Sequence, residues 1–339
     1  MRKLITRMAV GALLMLIALA PLGPATGQVL SLPEQCKQLA FSTEEDFVTQ
    51  GPVPPDGNPI ISDGDLLALY CVICARNLQL VGSFNVTQDL GLDAADVIDM
   101  EEYLVAFSTE LDSPIADQFT AGDLLVINGN IVIPNIALTY LFGVGYDIGL
   151  DSLHFVGDPQ DIVAFLNAVL EGEMSRGYWL EHPGDLPEML AEYEMDIWFS
   201  TEGTWTPAAR SGFLDGDLLS ARDGTIVAEN GELLPSGVPA GIPDRGVDFG
   251  LDAVTSNRAG GKERIHFSTE ILYQDGLSFT DGDVLKYGDG VSDTNKALIL
   301  CFEPKADFLG LDALHMALEG LLSKLYLPLI LKTFDQSVK

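Results

Sequence analysis

The phrase FSTE occurs four times in the chain, at 41–44, 107–110, 199–202 and 267–270. A second phrase, built on Gly-Asp followed by apolar residues, stands at 63–67, 121–125, 215–219 and 281–285 as DGDLL, AGDLL, DGDLL and DGDVL. A third, Gly-Leu-Asp, ends at Asp93, Asp151, Asp252 and Asp312. The order is always FSTE, GDL, GLD. Three phrases in fixed order, four times over, dictate an architecture of four equivalent units before any other feature is considered.

The register holds between the phrases. Thirteen residues after the glycine of GDL stand Asn77, Asn135 and Asn295. Leu80, Leu138 and Leu298 follow at sixteen, and Phe84, Phe142 and Phe302 at twenty. The third unit departs, with Glu229 and Asn230 and then a Gly/Pro-rich stretch from Pro235 to Gly246. Successive FSTE phrases lie 66, 92 and 68 residues apart. The long interval holds an insertion over 157–193, and its segment 158–177 has a helical pattern. Asp158 suits an N-cap, Pro159 the first helical position, and Ile162, Phe165, Leu166, Val169 and Leu170 one apolar face.

Elsewhere the periodicity is that of strands. RIHFSTE alternates Ile265, Phe267 and Thr269 with His266, Ser268 and Glu270, and MDIWFSTE repeats this with Ile197, Phe199 and Thr201. Turn phrases such as DGD, NGN and YGDG separate the runs. Each unit reads as four short strands: one begins at GLD, the next ends at FSTE, the third starts at GDL, and the Asn-to-Phe segment supplies a fourth strand or a short helix. Four-stranded units repeated radially make a β-propeller. The expected fold is therefore mainly β, a four-bladed propeller-like ring with one helical insertion. The chain opens with an FSTE that has no GLD before it and closes with a GLD that has no FSTE after it. Pairing of those two strands would close the ring and remove two open edges.

The order of phrases also resembles the hemopexin-type four-bladed propeller, whose blades begin with an Asp-Ala phrase on the inner strand, as in LDAVTS here, and pass to an aromatic second strand, as in RIHFSTE. The tryptophan of that family's third strand is absent; GDVLKY stands there. The FSTE and GLDAL phrases are similar to those of repeat proteins exported by bacteria, a resemblance that implies export and no particular activity.

Export is also expected from the N-terminus. Arg2, Lys3 and Arg7 precede the apolar run 8–20, and small residues Ala25 and Gly27 follow, the pattern of a secretory signal peptide over 1–27 cut near Gln28. The run is too short for a comfortable span, so no transmembrane segment is expected in the mature chain. Residues 28–320 then form one four-repeat β domain, followed by an apolar tail over 321–339 containing KLYLPLILK. The tail resembles YLPL endings of exported proteins from certain filamentous bacteria; a final edge strand and a surface-attachment signal are its two readings.

The net charge is −32, and loss of the three basic residues of the signal takes it to −35. Such a surface repels phosphate backbones and excludes nucleic acid as a partner. It attracts cations, and calcium is plentiful outside cells. The four cysteines suggest two disulfides, expected as a local Cys71–Cys74 clasp and a Cys36–Cys301 staple across the closure.

Catalytic sites need unlike residues converging on one place, whereas the recurring carboxylates here are alike. If the GLD strands line a channel, Asp93, Asp151, Asp252 and Asp312 meet there, and their repulsion favours a bound calcium ion. The competing reading makes each aspartate a turn former bonded to nearby N–H groups. No EF-hand loop, HExxH, G-x-S-x-G or GxGxxG occurs, and NVT at 85–87 is a glycosylation sequon only in a eukaryotic secretory route. His154 and His315, each three residues after a GLD aspartate, are expected to pack. The leading expectation is an exported, non-enzymatic binding or cell-surface protein, monomeric, with a protein or glycan ligand. Its rival is a glycan-directed hydrolase near 157–205, using an acid pair drawn from Glu192, Glu194 and Glu202, with Trp179, Trp198 and Trp205 nearby for sugar stacking.

Overall fold

A computed structural model describes residues 32–99, 104–127, 130–207, 212–241, 246–259 and 262–317. The expected signal segment 1–27 and tail 321–339 lie outside them. The chain is mainly β, with four antiparallel sheets of four strands each. Sheet one runs Leu314–Met316, Leu39–Phe41, Leu66–Ala68, Val72–Ala75; sheet two Ala94–Asp99, Leu104–Ser108, Leu124–Val126, Ile131–Ile133. Sheet three runs Ser152–Val156, Asp196–Ser200, Leu218–Ser220, Thr225–Ala228; sheet four Val254–Ala259, Lys262–Phe267, Val284–Lys286, Val291–Asp293.

One register recurs in all four. The phenylalanine of FSTE pairs with the residue two after the GLD aspartate: Phe107 with Ala95, Phe199 with Leu153, Phe267 with Val254. In sheet one the partner of Phe41 is Leu314, from the far end of the chain. The terminal GLD strand thus pairs with the first FSTE strand, and two hydrogen bonds, Ser42 N to Ala313 O and Glu44 N to Gly310 O, continue the match. On its other side each phenylalanine opposes the second apolar residue of GDL: Leu67, Leu125, Leu219 and Leu285.

The four first strands touch one another in the cyclic order two, three, four, one. Four apolar clusters fill the gaps between neighbouring sheets: Ala40 and Leu66 with Val97 and Phe107, Ala106 and Val126 with Leu153 and Phe199, Leu218 and Ala228 with Val254 and Phe267, and Val284 with Phe41 and Leu314. A sheet flanked on both faces explains why RIHFSTE alternates without an outer face: His266, Ser268 and Thr269 are as buried as Ile265 and Phe267. The FSTE phenylalanines have no exposure at all, and losing one would cost roughly 3–5 kcal/mol by truncation and cavity formation. The FSTE serines reach across the gaps. Ser108, Ser200 and Ser268 donate to the carbonyls of Leu150, Leu251 and Leu311 in the next GLD phrase.

Of the two readings of the Asn-to-Phe segment, the short helix holds: Asn77, Asn135, Asn230 and Asn295 begin short helices, and the fourth strand of each sheet ends before them. The disulfide pairing is a correction. The disulfides are Cys36–Cys74 and Cys71–Cys301. Cys74 lies in an extended strand three residues from Cys71, a separation of roughly 10 Å at strand rise, beyond the reach of one disulfide. Cys36 instead packs with Cys74 in one apolar cluster.

The insertion folds as three helices, Pro159–Glu171, Arg176–Glu181 and Asp185–Glu192. Asp158 caps the first by accepting from Gln160 N. Ile162, Phe165, Leu166 and Val169 are buried as expected, whereas Leu170 is exposed. Trp179 is fully buried, and Trp205 packs edge-on against Tyr146, so neither offers a free sugar platform.

The Cys71–Cys301 bridge spans 230 residues and Cys36–Cys74 spans 38. Serine replacement of the longer pair is expected to destabilise more, by roughly 1.6 kcal/mol in the chain-entropy model. Urea titrations of the two double variants measure the difference. A larger loss from the Cys36/Cys74 variant would show that the packing of that buried pair, not loop closure, sets the values.

Candidate metal centre

The GDL aspartates are turn formers. Asp65, Asp123, Asp217 and Asp283 each accept two backbone N–H groups, one from three residues before and one from the repeat asparagine. The asparagine then holds the GLD loop. Its Oδ1 accepts from Leu90, Ile148, Phe249 and Leu309 N in the four units. Its Nδ2 donates to Gly91 O, Gly149 O and Gly250 O in three of them. The GLD glycine completes the loop: Gly250 has φ +69°, and a Cβ there would run into the Glu270 carboxyl. Gly91, Gly149 and Gly310 stand in the same relation to Glu110, Glu202 and Glu44. Each FSTE glutamate is thereby laid over a neighbouring GLD aspartate.

The GLD aspartates differ from the GDL set. One carboxylate oxygen of each of Asp93, Asp151, Asp252 and Asp312 is buried with no hydrogen-bond partner. Asp151, Asp252 and Asp312 are more than nine-tenths buried. Desolvation, and then the neighbouring carboxylates, push all four well above the ordinary aspartate range. The charges that act on Asp252 are those of Asp151, Glu44, Asp312 and Glu270; those on Asp151 are Asp93, Glu270, Glu202 and Asp312. Asp151 thus feels Asp93 and Asp312, Asp252 feels Asp151 and Asp312, and Asp312 feels Asp93.

Asp151, Asp252 and Glu270 come closest. Each offers an oxygen, and these atoms lie within 4.8 Å of one another. Two oxygens at about 2.4 Å from one calcium ion stand at most about 4.8 Å apart, so the three fit a shared ion. Asp93 and Asp312 lie outside this compact set, and Asp93 faces the Glu202 carboxyl. Glu270 was not among the expected ligands, although FSTE recurs as often as GLD. The signal missed was the glycine before the aspartate, which exists to admit the glutamate.

The FSTE glutamates face solvent around the aspartates. Desolvation and the surrounding carboxylates push Glu44, Glu110 and Glu270 up to about 7. Glu202 engages Asp93, Glu194 borders a cleft beside His154, and Glu192 is exposed at the end of its helix.

Three residues beyond the GLD aspartates, the four strands carry unlike residues: Asp96, His154, Thr255 and His315. Asp96 is buried and accepts from both imidazoles, His154 Nδ1 at 3.1 Å and His315 Nδ1 at 2.9 Å, and from Phe155 N at 2.8 Å. Although burial opposes it, the two histidines hold this carboxyl well below the usual range. The histidines do pack, as expected, but around a charge.

No protein-family model matches the chain, and no curated protein or solved structure does so.

Carboxyls raised in the folded state bind protons that the unfolded chain has released, so their stabilisation is present at low pH and is lost as pH rises. In the absence of metal, stability is expected to fall between pH 5 and 8, as Glu44, Glu110 and Glu270 pass from ordinary values of 4.5 through about 7. His266, pushed down to about 4 by burial and then by Lys286 and Arg264, acts in the opposite sense below pH 6.5. It is one group against three glutamates and four buried aspartates. Melting temperatures in chelator at pH 5 and pH 8 test the sign; a higher value at pH 8 would mean the carboxylates are relieved without metal.

Proposed function

We propose that the protein is an exported, calcium-stabilised four-bladed β-propeller that acts as a binding or cell-surface protein. The observation that carries this reading is the set of four buried, unpartnered aspartate oxygens, with Asp151, Asp252 and Glu270 spaced for one shared ion. Like-charged carboxylates held together must protonate, separate or bind a cation. An all-oxygen, all-anionic ligand set suits calcium rather than a softer metal. The four sheets, the cyclic contacts of their first strands and the pairing of Leu314 with Phe41 support the propeller. Two disulfides and a signal-like N-terminus support an oxidising, extracellular setting. Among the described residues no helix is long and apolar enough to cross a membrane. A monomer with a protein or glycan ligand remains the accompanying proposal.

Calcium that binds only the folded state adds RT ln(1 + [L]/Kd), about 2.7 kcal/mol at a hundredfold excess over Kd. The melting temperature at pH 7.5 is therefore expected to be higher in millimolar calcium than in chelator. Sodium chloride at equal ionic strength should reproduce little of the gain, because screening is nonspecific. The double variant Asp151→Asn/Asp252→Asn should fold and lose the calcium increment. Equal shifts with calcium and sodium chloride, in the wild type, would reduce the aspartates to solvated charge.

A further inference from the structure

The level of unlike residues has a continuation into solvent. His154 uses Nδ1 on Asp96, and its Nε2 lies 2.9 Å from Ser256 Oγ. Ser256 stands on the first strand of sheet four, one residue beyond Thr255. It is half-buried and borders an open cleft of ≈ 640 Å³ shared with His154, Glu263, Trp198, Glu194 and Arg222. The cleft is flanked by the start of the helical insertion, the feature that breaks the fourfold symmetry.

We propose that Ser256, His154 and Asp96 form a serine acyl-transfer site for small carboxylic esters that enter this cleft. The roles follow from the contacts. A nucleophile needs a base within hydrogen-bond reach, and the base needs a third group that fixes its tautomer. Asp96 accepts the Nδ1 proton of His154, which leaves Nε2 of the neutral ring as an acceptor directed at Ser256 Oγ. Asp96 is itself fixed by Phe155 N and by His315, so the imidazole has one orientation. The other first strands place Val97, Phe155 and Met316 at the position of Ser256. The constellation therefore exists once, in contrast to the fourfold carboxylates.

In the reaction Ser256 Oγ bonds to the ester carbonyl carbon as its proton passes to His154 Nε2. The bond from that carbon to the alkoxide oxygen then breaks, and the departing alcohol takes the proton from Nε2. Water attacks the acyl group and gives one proton to Nε2. Release of the carboxylic acid returns that proton to Ser256 Oγ. Glu263 regulates the first step. Its Oε1 is 2.8 Å from Ser256 Oγ and competes with His154 for the single hydroxyl proton. It is exposed and can be displaced by a substrate. The carboxylates around the cleft, Asp161, Glu194, Asp196 and Glu263, disfavour anionic esters and favour neutral or cationic ones.

The test uses the folded chain, a fluorophosphonate probe with peptide mapping by mass spectrometry, and a chromogenic acetate ester. Ser256 is expected to be the labelled residue, and urea denaturation should abolish the labelling. Ser256→Ala should remove both the label and ester turnover. His154→Gln should slow labelling by roughly 10²-fold or more, the usual worth of a positioned base. Glu263→Gln should accelerate it, because the amide can donate to Oγ and frees the hydroxyl proton for His154. Labelling of Ser256 no faster in the native than in the denatured wild-type chain would overturn the proposal without any variant. So would a His154→Gln protein that keeps the native melting temperature and is labelled at the wild-type rate.

Discussion

The asparagine that follows each GDL phrase is the pivot of the molecule. Its backbone N–H is taken by the GDL aspartate, and its carboxamide oxygen takes the N–H of the residue before the GLD glycine. Asn77, Asn135, Asn230 and Asn295 are all essentially without exposure. A buried amide so engaged is costly to leave unpaired, and it fixes where each first strand starts. The third unit shows how firmly the pivot is required. Its asparagine is displaced by one residue, to Asn230, yet it makes the same bonds to Asp217 and Phe249. The extra residue is absorbed in the hairpin between the third and fourth strands, where Ser220 pairs with Thr225 while Ala68 pairs with Val72, and the step from Ala228 to Asn230 matches that from Ala75 to Asn77.

From that fixed loop the electrostatics follow. Each GLD glycine accommodates an FSTE glutamate, and each GLD aspartate begins a strand that contacts two other first strands. Backbone pairing thus gathers carboxylates that would repel one another in any unconstrained chain. The opposing contributions are the four apolar clusters between sheets and the interstrand serine bonds. The fold tolerates this concentration of charge because packing and hydrogen bonding are distributed around all four sheets. The most deeply buried of these carboxylates gather where the GLD strands begin, and there Asp151, Asp252 and Glu270 are spaced so that one cation could be held.

The repeat made the strand pairing legible. The offset between the opening FSTE and the closing GLD implied the Leu314 to Phe41 pair, because phrases that neighbour one another inside the chain must do so at its ends. The position of the fourth strand was not legible. Runs such as VICA and IVI are too short for periodicity to separate strand from helix, and the segment from the asparagine onward read equally as a fourth strand or a short helix. The cysteine partners were hidden for a geometric reason: CVIC spacing suggests a local clasp, but Cys71 sits in a turn and Cys74 lies on the strand Val72–Ala75 that leads away from it. For the candidate site, the four aspartates were legible as a set. Glu270 was not, because its role depends on the φ of Gly250, a property of the folded loop.

Symmetry and its loss mark different chemistry in this chain. Where the units agree, the side chains are alike, and Asp151, Asp252 and Glu270 could hold a spherical ion, which has no use for unlike partners. Three residues further along the same strands, roughly 10 Å away at strand rise, the units disagree, as Asp96, His154, Thr255 and His315. A carboxylate that accepts from two imidazoles and a backbone N–H has hydrogen-bond partners on both oxygens, and it joins the closing strand, through His315, to the first strand of sheet two. Repetition of a phrase thus constrains the backbone, while departure from repetition at a position where the backbone is still equivalent shows selection of the side chain for something other than the fold. By that reasoning the asymmetric level, and not the more conspicuous fourfold carboxylates, is where bond-making chemistry has its only set of unlike partners among the four equivalent first strands.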